Sequence, residues 1–389
     1  MFQRGVATFG LDYGKCPKWL FERMVRLAKE MIRVMIEEYG VDEFLRRIAD
    51  PVWFQSLGTV LAFDWNASGL TTTLTAALKE AVRGQEKEMG IFICGGKGKT
   101  SKKTPDEILT WGHTLNIPFS QANHLVYNSK MAAKVDNSLV QDGFQIYHHT
   151  FFFSKNGAWA VVQQGMNTQS VTARRYHWYS DSLNFHSLNG SKNLVVEPHQ
   201  GIVADQRKKV LNLVAKNSVP TQNTSVELVN QNFLSLLKDV KILAKYSSEF
   251  SRMVKLGNKK QQLILLNLEN REFKYHPVVN EDFLVNRYLQ KILHHLTEAK
   301  PKNYENLLAT YGVGPKTIRA LALVAEVIYG AKPSYEDPAR YSFAHGGKDA
   351  TPYPVDRATY DETISIINNL IRKTNLPLSE KEKILNNHK

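Results

Sequence analysis

Two β-prone runs joined by an Asn-Gly pair restrict the fold of this chain more than any other feature of its sequence. Residues 145–154 (QIYHHTFFFS) and 158–166 (AWAVVQQGM) flank Asn156 and Gly157. An Asn-Gly pair between two such runs is a strong local signal for a β-hairpin. Both alternating sets of side chains are apolar near the turn, so we expect this hairpin to be buried on both faces.

The length of the turn decides which side chains face each other across the hairpin. A two-residue turn at Asn156 and Gly157 predicts that Phe153 lies opposite Ala160. Polar side chains gather at the open end of the two runs. They are His148, His149, Gln163 and Gln164.

Helical patterns dominate the rest of the chain. Residues 17–39 carry apolar side chains three and four positions apart, as in an amphipathic helix. The short apolar run 90–94 predicts a buried strand, and the sequence after residue 200 has a helical pattern. The predicted fold is therefore α+β and mainly helical, with an N-terminal α+β domain over 1–203 that holds the buried hairpin. The predicted C-terminal domain, over 204–389, is all-α.

The charge balance indicates a polyanionic partner. The chain has 50 Lys and Arg residues against 37 Asp and Glu residues, which gives a formal net charge of +13. An excess of this size favours nucleic acid first and an anionic membrane second, although a basic surface can also serve solubility alone. We expect a nucleic-acid partner, with DNA ahead of RNA.

Cysteine content and hydropathy bear on location. The two cysteines, Cys16 and Cys94, are too few for a disulfide framework or a four-cysteine zinc site, and they fit a reducing compartment. No apolar run approaches the roughly 20 residues that cross a bilayer. The N-terminal sequence also lacks the apolar segment of a signal peptide. We expect a cytoplasmic protein with no membrane partner.

A glycine turn between two helical patterns is the most specific local motif. Residues 307–321 read LLATYGVGPKTIRAL, and Pro315 suits the first turn of the second helix, whose N–H groups and dipole favour a phosphate. The arrangement resembles the helix-hairpin-helix of DNA repair proteins, which holds the DNA backbone without reading bases. An ordinary αα-hairpin is the alternative. The candidate DNA-binding residues here are Gly312, Gly314, Lys316, Thr317 and Arg319.

A further resemblance concerns chemistry at this hairpin. In DNA glycosylases of the endonuclease III type, a lysine after the second glycine attacks the sugar, and an aspartate in a V-D-x-x-V-like segment stabilises the cationic sugar. Lys316 and Asp356 match these two positions, which implies Schiff-base chemistry. The intervening segment is longer than in that family, and the chain lacks a four-cysteine cluster. A helix cap is the alternative role for Asp356.

A glycine-lysine loop follows the strand predicted at 90–94. Residues 95–103 read GGKGKTSKK, but the first glycine of a Walker A motif would fall on Ile93, so the loop is not a P-loop. Its amides and lysines could still hold phosphates, which makes Lys97 and Lys99 candidate DNA-binding residues. A solvated loop is the equal alternative.

Carboxylates, imidazoles and cations cluster around the predicted hairpin. Such groups beside a buried sheet could hold Mg²⁺ or Mn²⁺ and position water for phosphodiester cleavage, although a buried histidine is more often a hydrogen-bonded core residue. The candidate catalytic residues are Asp136, Asp142, His148, His149 and Gln164, of which Asp136, Asp142 and His149 are the candidate metal ligands. Arg174 and Arg175 precede Tyr176, His177 and Trp178, an alternation that suits nucleic-acid binding or a surface strand.

Several long motifs resemble an archaeal and bacterial family known only as domain of unknown function 763. They include DPVWFQSLG, FDWNASGLTTT, CGGKGKTSKKTP and VDNSLVQDGFQIYHHTFFF, and the resemblance runs over about residues 1–370. It implies a prokaryotic, cytosolic protein and says little about chemistry.

Together these features predict a DNA-processing enzyme of repair or recombination. We expect a metal-dependent nuclease that grips the DNA backbone with the helix-hairpin-helix. A DNA glycosylase or AP lyase that uses Lys316 and Asp356 is one alternative. A non-enzymatic DNA- or RNA-binding protein is the other.

Overall fold

The computed structural model confirms an α+β fold that is mainly helical, with an antiparallel sheet in the N-terminal half and helices in the C-terminal part. The structure describes residues 16–61, 67–181, 192–204, 208–246, 286–339 and 357–386. Within these ranges no helix is long and apolar enough to cross a membrane.

Helices surround the sheet on both sides. The N-terminal helices are α1 (Lys18–Tyr39), α2 (Val41–Ile48), α3 (Pro51–Val60), α4 (Ala67–Val82), α5 (Glu86–Met89), α6 (Thr104–Thr114) and α7 (Phe119–Ser138). The later helices are α8 (Val219–Asn230), α9 (Phe233–Tyr246), α10 (Arg287–Ala299), α11 (Tyr304–Ala309), α12 (Pro315–Val327), α13 (Arg357–Lys373) and α14 (Leu378–Asn386). Short 3-10 helices cover Gly98–Lys103 and Lys216–Ser218.

The central sheet has five antiparallel strands in the order β1-β3-β4-β5-β6. Its strands are β1 (Ile91–Lys97), β3 (Gln145–Ser154), β4 (Trp159–Asn167), β5 (Thr172–Ser180) and β6 (His199–Val203). A second, two-stranded sheet pairs β2 (Val140–Gln141) with β7 (Leu211–Asn212). The strand predicted at 90–94 is confirmed as β1, and it continues through two glycines to Lys97.

The turn of the predicted hairpin is longer than two residues. The N–H of Ser154 donates to the carbonyl of Ala158, and the N–H of Gly157 donates back to the carbonyl of Ser154. Three residues therefore close the turn, with Gly157 at φ +94°, which is the geometry of a three-residue hairpin loop. The predicted pairing of Phe153 with Ala160 was wrong by one position, since Phe153 pairs with Trp159.

Burial of the hairpin on both faces is confirmed. Phe151 and Phe153 point into one apolar core, which α6 and α7 cover. Phe152 and Val162 point into a second core on the opposite face, which α1 to α4 cover. Because side chains alternate between the faces of a strand, a run of three phenylalanines supplies both cores at once.

The C-terminal helices join these two cores separately. Residues of α8 to α12 pack with the α7 side of the sheet in one continuous apolar cluster. Leu370 of α13 instead enters the core beneath α1, where Lys373 pairs with Glu38 at 2.6 Å. The division at 203/204 stays a prediction.

Gly95 in β1 generates a stability prediction, because both its backbone and its surroundings require a missing side chain. Its φ is +89°, and a Cβ there would overlap the carbonyl oxygen of His149 and the hydroxyl of Thr104. We expect Gly95→Ala to lower the free energy of unfolding by about 2 kcal/mol or more. Gly84 also has a positive φ but open space around it, so Gly84→Ala should cost about 1 kcal/mol. Urea denaturation of both variants compares them, and equal losses would contradict the overlap at Gly95.

Candidate functional site

The glycine turn predicted from the sequence joins α11 to α12. Gly312 has φ +83°, and a Cβ there would overlap the side chain of Ile292 on α10, so only glycine fits. Gly314 is the N-cap of α12 and provides no side-chain hydrogen bond, and Pro315 follows in the first turn. Val313, between the glycines, is buried and anchors the turn. The first turn of α12 thus has no side-chain cap for its backbone N–H groups, and the loop before it is anchored. Such N–H groups favour the binding of an anion.

The five predicted hairpin residues differ in where their side chains lie. Lys316 is exposed, whereas Thr317 is buried. The Nε of Arg319 donates to Oε1 of Gln141 at 2.5 Å, and Nε2 of Gln141 donates to the carbonyl of Pro315 at 3.1 Å. Arg319 and Gln141 therefore hold the hairpin against α7 and β2, Thr317 is buried, and Lys316 is exposed.

Three residues that the sequence analysis missed surround the same loop. Nζ of Lys134, on α7, donates to the carbonyl of Thr310 at 2.9 Å. The hydroxyl of Tyr288, on α10, donates to the carbonyl of Gly312 at 3.4 Å. Tyr311, at the tip of the turn, is 89% exposed. Lys134 and Tyr288 are distant from the motif in sequence, so no local pattern indicates them. Tyr311 could have been noticed from the sequence, because it is an aromatic residue inside the glycine turn.

Asp136 and His149 belong to one buried network on the α7 face of the sheet. Ser129 bonds Nε2 of His149 at 2.9 Å, and Nδ1 of His149 bonds Oε1 of Gln163 at 2.7 Å. The amide of Gln163 donates to Asp136. Asp136 also accepts from the indole of Trp178 at 3.0 Å and contacts His199. Every member is less than a tenth exposed, so the network links β3, β4, β5 and β6 to α7.

Asp142 belongs to a second network, centred on Arg174. The guanidinium of Arg174 bonds Asp142 at 2.9 Å and Asp337 at 2.8 and 3.0 Å. The hydroxyl of Tyr176 donates to the same oxygen of Asp142 at 2.8 Å. Burial raises the pKa of Asp142, and Arg174 opposes this rise. Arg174, predicted to contact DNA, is thus buried between two carboxylates and joins β5 to Asp337, in the segment after α12.

His148, Gln164 and Arg175 lie on the opposite, α4 face of the sheet. Nε2 of His148 contacts the hydroxyls of Thr75 at 3.1 Å and Thr150 at 3.0 Å. The amide of Gln164 donates to the carbonyl of Ser68 at 3.0 Å. All three predicted residues are at most 1% exposed.

Arg175 orients a second buried histidine on this face. Its Nε donates to Nε2 of His177 at 2.8 Å, so the ring proton of His177 is assigned to Nδ1, which lies 3.3 Å from the carbonyl of Ile48. Burial lowers the pKa of Arg175 to about 9. The predicted base-stacking role of this strand would require exposure that these side chains lack.

The predicted metal ligands therefore lie in different networks. Asp136 and His149 share one, and Asp142 pairs with Arg174 in the other. In the part of the chain that the structure describes, no three His, Cys, Asp or Glu side chains are grouped to hold a metal ion. The Mg²⁺ or Mn²⁺ cofactor stays a prediction. Asp356, the predicted partner of Lys316, lies outside the described residues.

The glycine-lysine loop borders a cleft of about 630 Å³ between α1, α4 and the end of β1. Lys97 lines this cleft, and Lys99 lies beside it on the 3-10 helix; both are exposed. Glu107 of α6 fixes the loop, since its carboxylate accepts from the N–H of Gly95 at 2.8 Å and from Lys79 at 2.6 Å. The two candidate phosphate contacts are thus available to a ligand.

Comparison with known proteins identifies the family. The family described as "Protein of unknown function (DUF763)" matches residues 5–355. The chain belongs to this family. No curated protein and no solved structure matches it, so the chemistry of this DUF763 protein has to be inferred from its own residues.

The buried histidines of this DUF763 protein predict a loss of stability in acid. Burial lowers the pKa of His148 to about 3, and it also lowers the pKa values of His149 and His177. The unfolded chain takes up these protons near pH 6.5, and the folded chain does so only at lower pH. Each such group therefore removes about 1.4 kcal/mol of stability per pH unit below about 6.5, until its own folded pKa is reached.

Denaturation at pH 7 and pH 5 measures this effect. We expect His148→Gln to reduce the loss of stability between these pH values by about 2 kcal/mol, because one of the three groups no longer titrates. His113 is exposed, and His113→Gln is the matched control. If the stability of His148→Gln had the same pH dependence as that of the wild type, His148 would not be neutral in the folded protein.

Proposed function

We propose that this DUF763 protein binds DNA through the hairpin between α11 and α12, by contacts to the phosphate backbone. The observation that supports the proposal most is that α12, which follows the loop of Gly312 and Gly314, begins without a side-chain cap. A phosphate oxygen at this position would accept from backbone N–H groups and from the exposed amine of Lys316.

Charge around the hairpin supports the same proposal. Lys316 lies in the first turn of α12, and the hydrogen bond of Lys134, on α7, to the carbonyl of Thr310 holds a second amine beside the loop backbone. The whole chain carries a formal net charge of +13. Contacts of this type grip the backbone without reading its sequence, so we propose structure-dependent rather than sequence-specific binding.

The buried polar networks support DNA binding more than they support catalysis. Asp136, Asp142, His148 and His149 are hydrogen-bonded within the fold and less than a tenth exposed. A group that positions water or a metal needs open coordination sites. The nuclease and the lyase are the two candidate activities of the bound complex, and a panel of DNA substrates tests both.

DNA binding through the hairpin predicts a specific effect of Lys316→Ala. We expect its affinity for a fluorescent duplex to fall about tenfold and its salt dependence to decrease by about one phosphate contact. Fluorescence anisotropy at several salt concentrations measures both quantities. Lys155 is an exposed lysine at the turn of the β3–β4 hairpin, and Lys155→Ala is the matched control. Equal effects of the two substitutions would argue for non-specific attraction only.

A panel of DNA substrates separates binding from chemistry. Single-stranded, duplex, flap, junction and abasic DNA are incubated with Mg²⁺, with Mn²⁺ or with EDTA, beside an RNA duplex of the same sequence. Metal-dependent cleavage would support the nuclease. Cleavage of abasic DNA in EDTA, with a borohydride-trapped adduct that Lys316→Ala abolishes, would support the lyase. Tight binding without product would support the non-enzymatic alternative.

A further inference from the structure

The cleft between α1, α4 and the end of β1 combines features that none of the preceding sites uses. We infer that it binds a nucleotide 5′-phosphate, either as a free nucleotide or as the terminal nucleotide of a strand. The inference stands independently of the hairpin, because it rests on a different surface of the molecule. The cleft has a volume of about 630 Å³, which falls within the range of small-molecule sites.

The floor of the cleft supplies a buried hydroxyl that can donate to a ligand. Thr75 donates to the carbonyl of Thr71 at 2.9 Å, so its oxygen is left to accept from Nε2–H of His148 at 3.1 Å. Nε2–H then also faces the oxygen of Thr150 at 3.0 Å. This assignment leaves the hydroxyl proton of Thr150 without an acceptor among the described residues. Thr150 is 1% exposed and lines the cleft.

The burial of His148 supports this assignment of its protons. Nδ1 of His148 has no hydrogen-bond partner among the residues that the structure describes. An unpaired lone pair is tolerated better in a protein interior than an unpaired N–H. The proton is therefore placed on Nε2, where two threonine oxygens share it. His148 thus orients the hydroxyl of Thr150 through its own hydrogen bond.

A lysine on the same face of the sheet supplies the charge. Lys97 is the register partner of His148, and Gly95 is that of Thr150, so the side chains of Lys97 and Thr150 project from one face. The other exposed lysines of the loop are Lys99, Lys102 and Lys103. None of the four has an ion-pair partner within the described part of the chain. Of these four lysines, Lys97 lines the cleft, and the other three continue along the 3-10 helix that follows it.

The acidic groups near the cleft each lie beside a basic group. Glu80 pairs with Arg83 at 2.6 Å, and Glu107 pairs with Lys79 at 2.6 Å. Glu22 lies 3.8 Å from Lys18. Lys97 is the lining lysine that has no ion-pair partner among the described residues, so its charge is the one available to an anion in the cleft.

One wall of the cleft is apolar. Phe21 and Val25 of α1 and Ala76 of α4 form it, and both α1 residues are partly exposed. An inorganic phosphate would leave this surface uncovered, whereas a base or sugar attached to the phosphate would cover it. The combination of an apolar wall, a donating hydroxyl and an unpaired lysine favours a nucleotide over a free anion.

Isothermal titration of the full chain with deoxyadenosine 5′-monophosphate tests the inference. Deoxyadenosine and inorganic phosphate are titrated in parallel, and both should bind at least about tenfold more weakly than the nucleotide. Lys97→Ala and Thr150→Val should each weaken nucleotide binding by about tenfold, and Thr150→Ser should retain it. Lys155→Ala is again the matched control. Because Lys97 is exposed, its substitution keeps the test valid even if Thr150→Val fails to fold.

A second arm identifies the source of the phosphate. Single-stranded oligonucleotides with a 5′-phosphate or a 5′-hydroxyl compete for the same protein. A preference for the phosphorylated end that Lys97→Ala removes would support a strand terminus, and binding of the mononucleotide would support a free nucleotide. The inference is overturned if the binding of neither ligand depends on its phosphate. It is also overturned if Lys97→Ala and Lys155→Ala have the same effect on that binding.

The two proposals fail separately. Lys316→Ala should weaken duplex binding and leave mononucleotide binding unchanged. Lys97→Ala should weaken mononucleotide or strand-end binding more than Lys316→Ala does, and it should weaken duplex binding less than Lys316→Ala does. Loss of only one of these effects would overturn only the corresponding proposal.

Discussion

Burial of the central sheet on both faces is the constraint on which the rest of this structure depends. A sheet covered by helices on both sides has no solvent for the polar side chains of its strands, so each one needs a partner within the protein. The sheet meets this requirement with hydrogen-bonded networks on either face. Asp136, His149 and Gln163 belong to the α7 face, and His148, Gln164 and Arg175 belong to the α4 face. Apolar cores occupy the rest of each face.

The same constraint explains why residues that the sequence predicts to be functional hold the fold together. Arg174 between Asp142 and Asp337 ties the sheet to a segment more than 160 residues later. Removing one partner of such a buried pair leaves an uncompensated charge, which costs about 3–5 kcal/mol. Loss of activity in variants of these residues would therefore need a stability measurement beside it before it could be assigned to chemistry.

The two surfaces proposed to bind ligands are also held in place by contacts within the protein. Gln141 and Ile292 support the hairpin between α11 and α12, and Lys316 is exposed on it. The cleft has a similar construction, since Glu107 and Lys79 fix the glycine loop and Lys97 remains exposed. When the backbone that carries the binding groups is already rigid, less conformational entropy is lost as a ligand binds.

The sequence by itself determined the α+β class, the doubly buried hairpin, the strand after residue 90 and the glycine turn before Pro315, because each depends on local spacing or on residues with special backbone freedom. It missed the register of the hairpin, since a three-residue turn and a two-residue turn share the same Asn-Gly pair. It also grouped Asp136, Asp142 and His149 by proximity along the chain. Only the tertiary structure decided that Arg174 and Asp337 enclose Asp142, that Lys134 and Gln141 brace the hairpin, and that Thr75, Thr150 and Lys97 meet at one cleft. These contacts join distant segments through packing on a two-sided sheet, and local sequence carries no record of which segments will meet there.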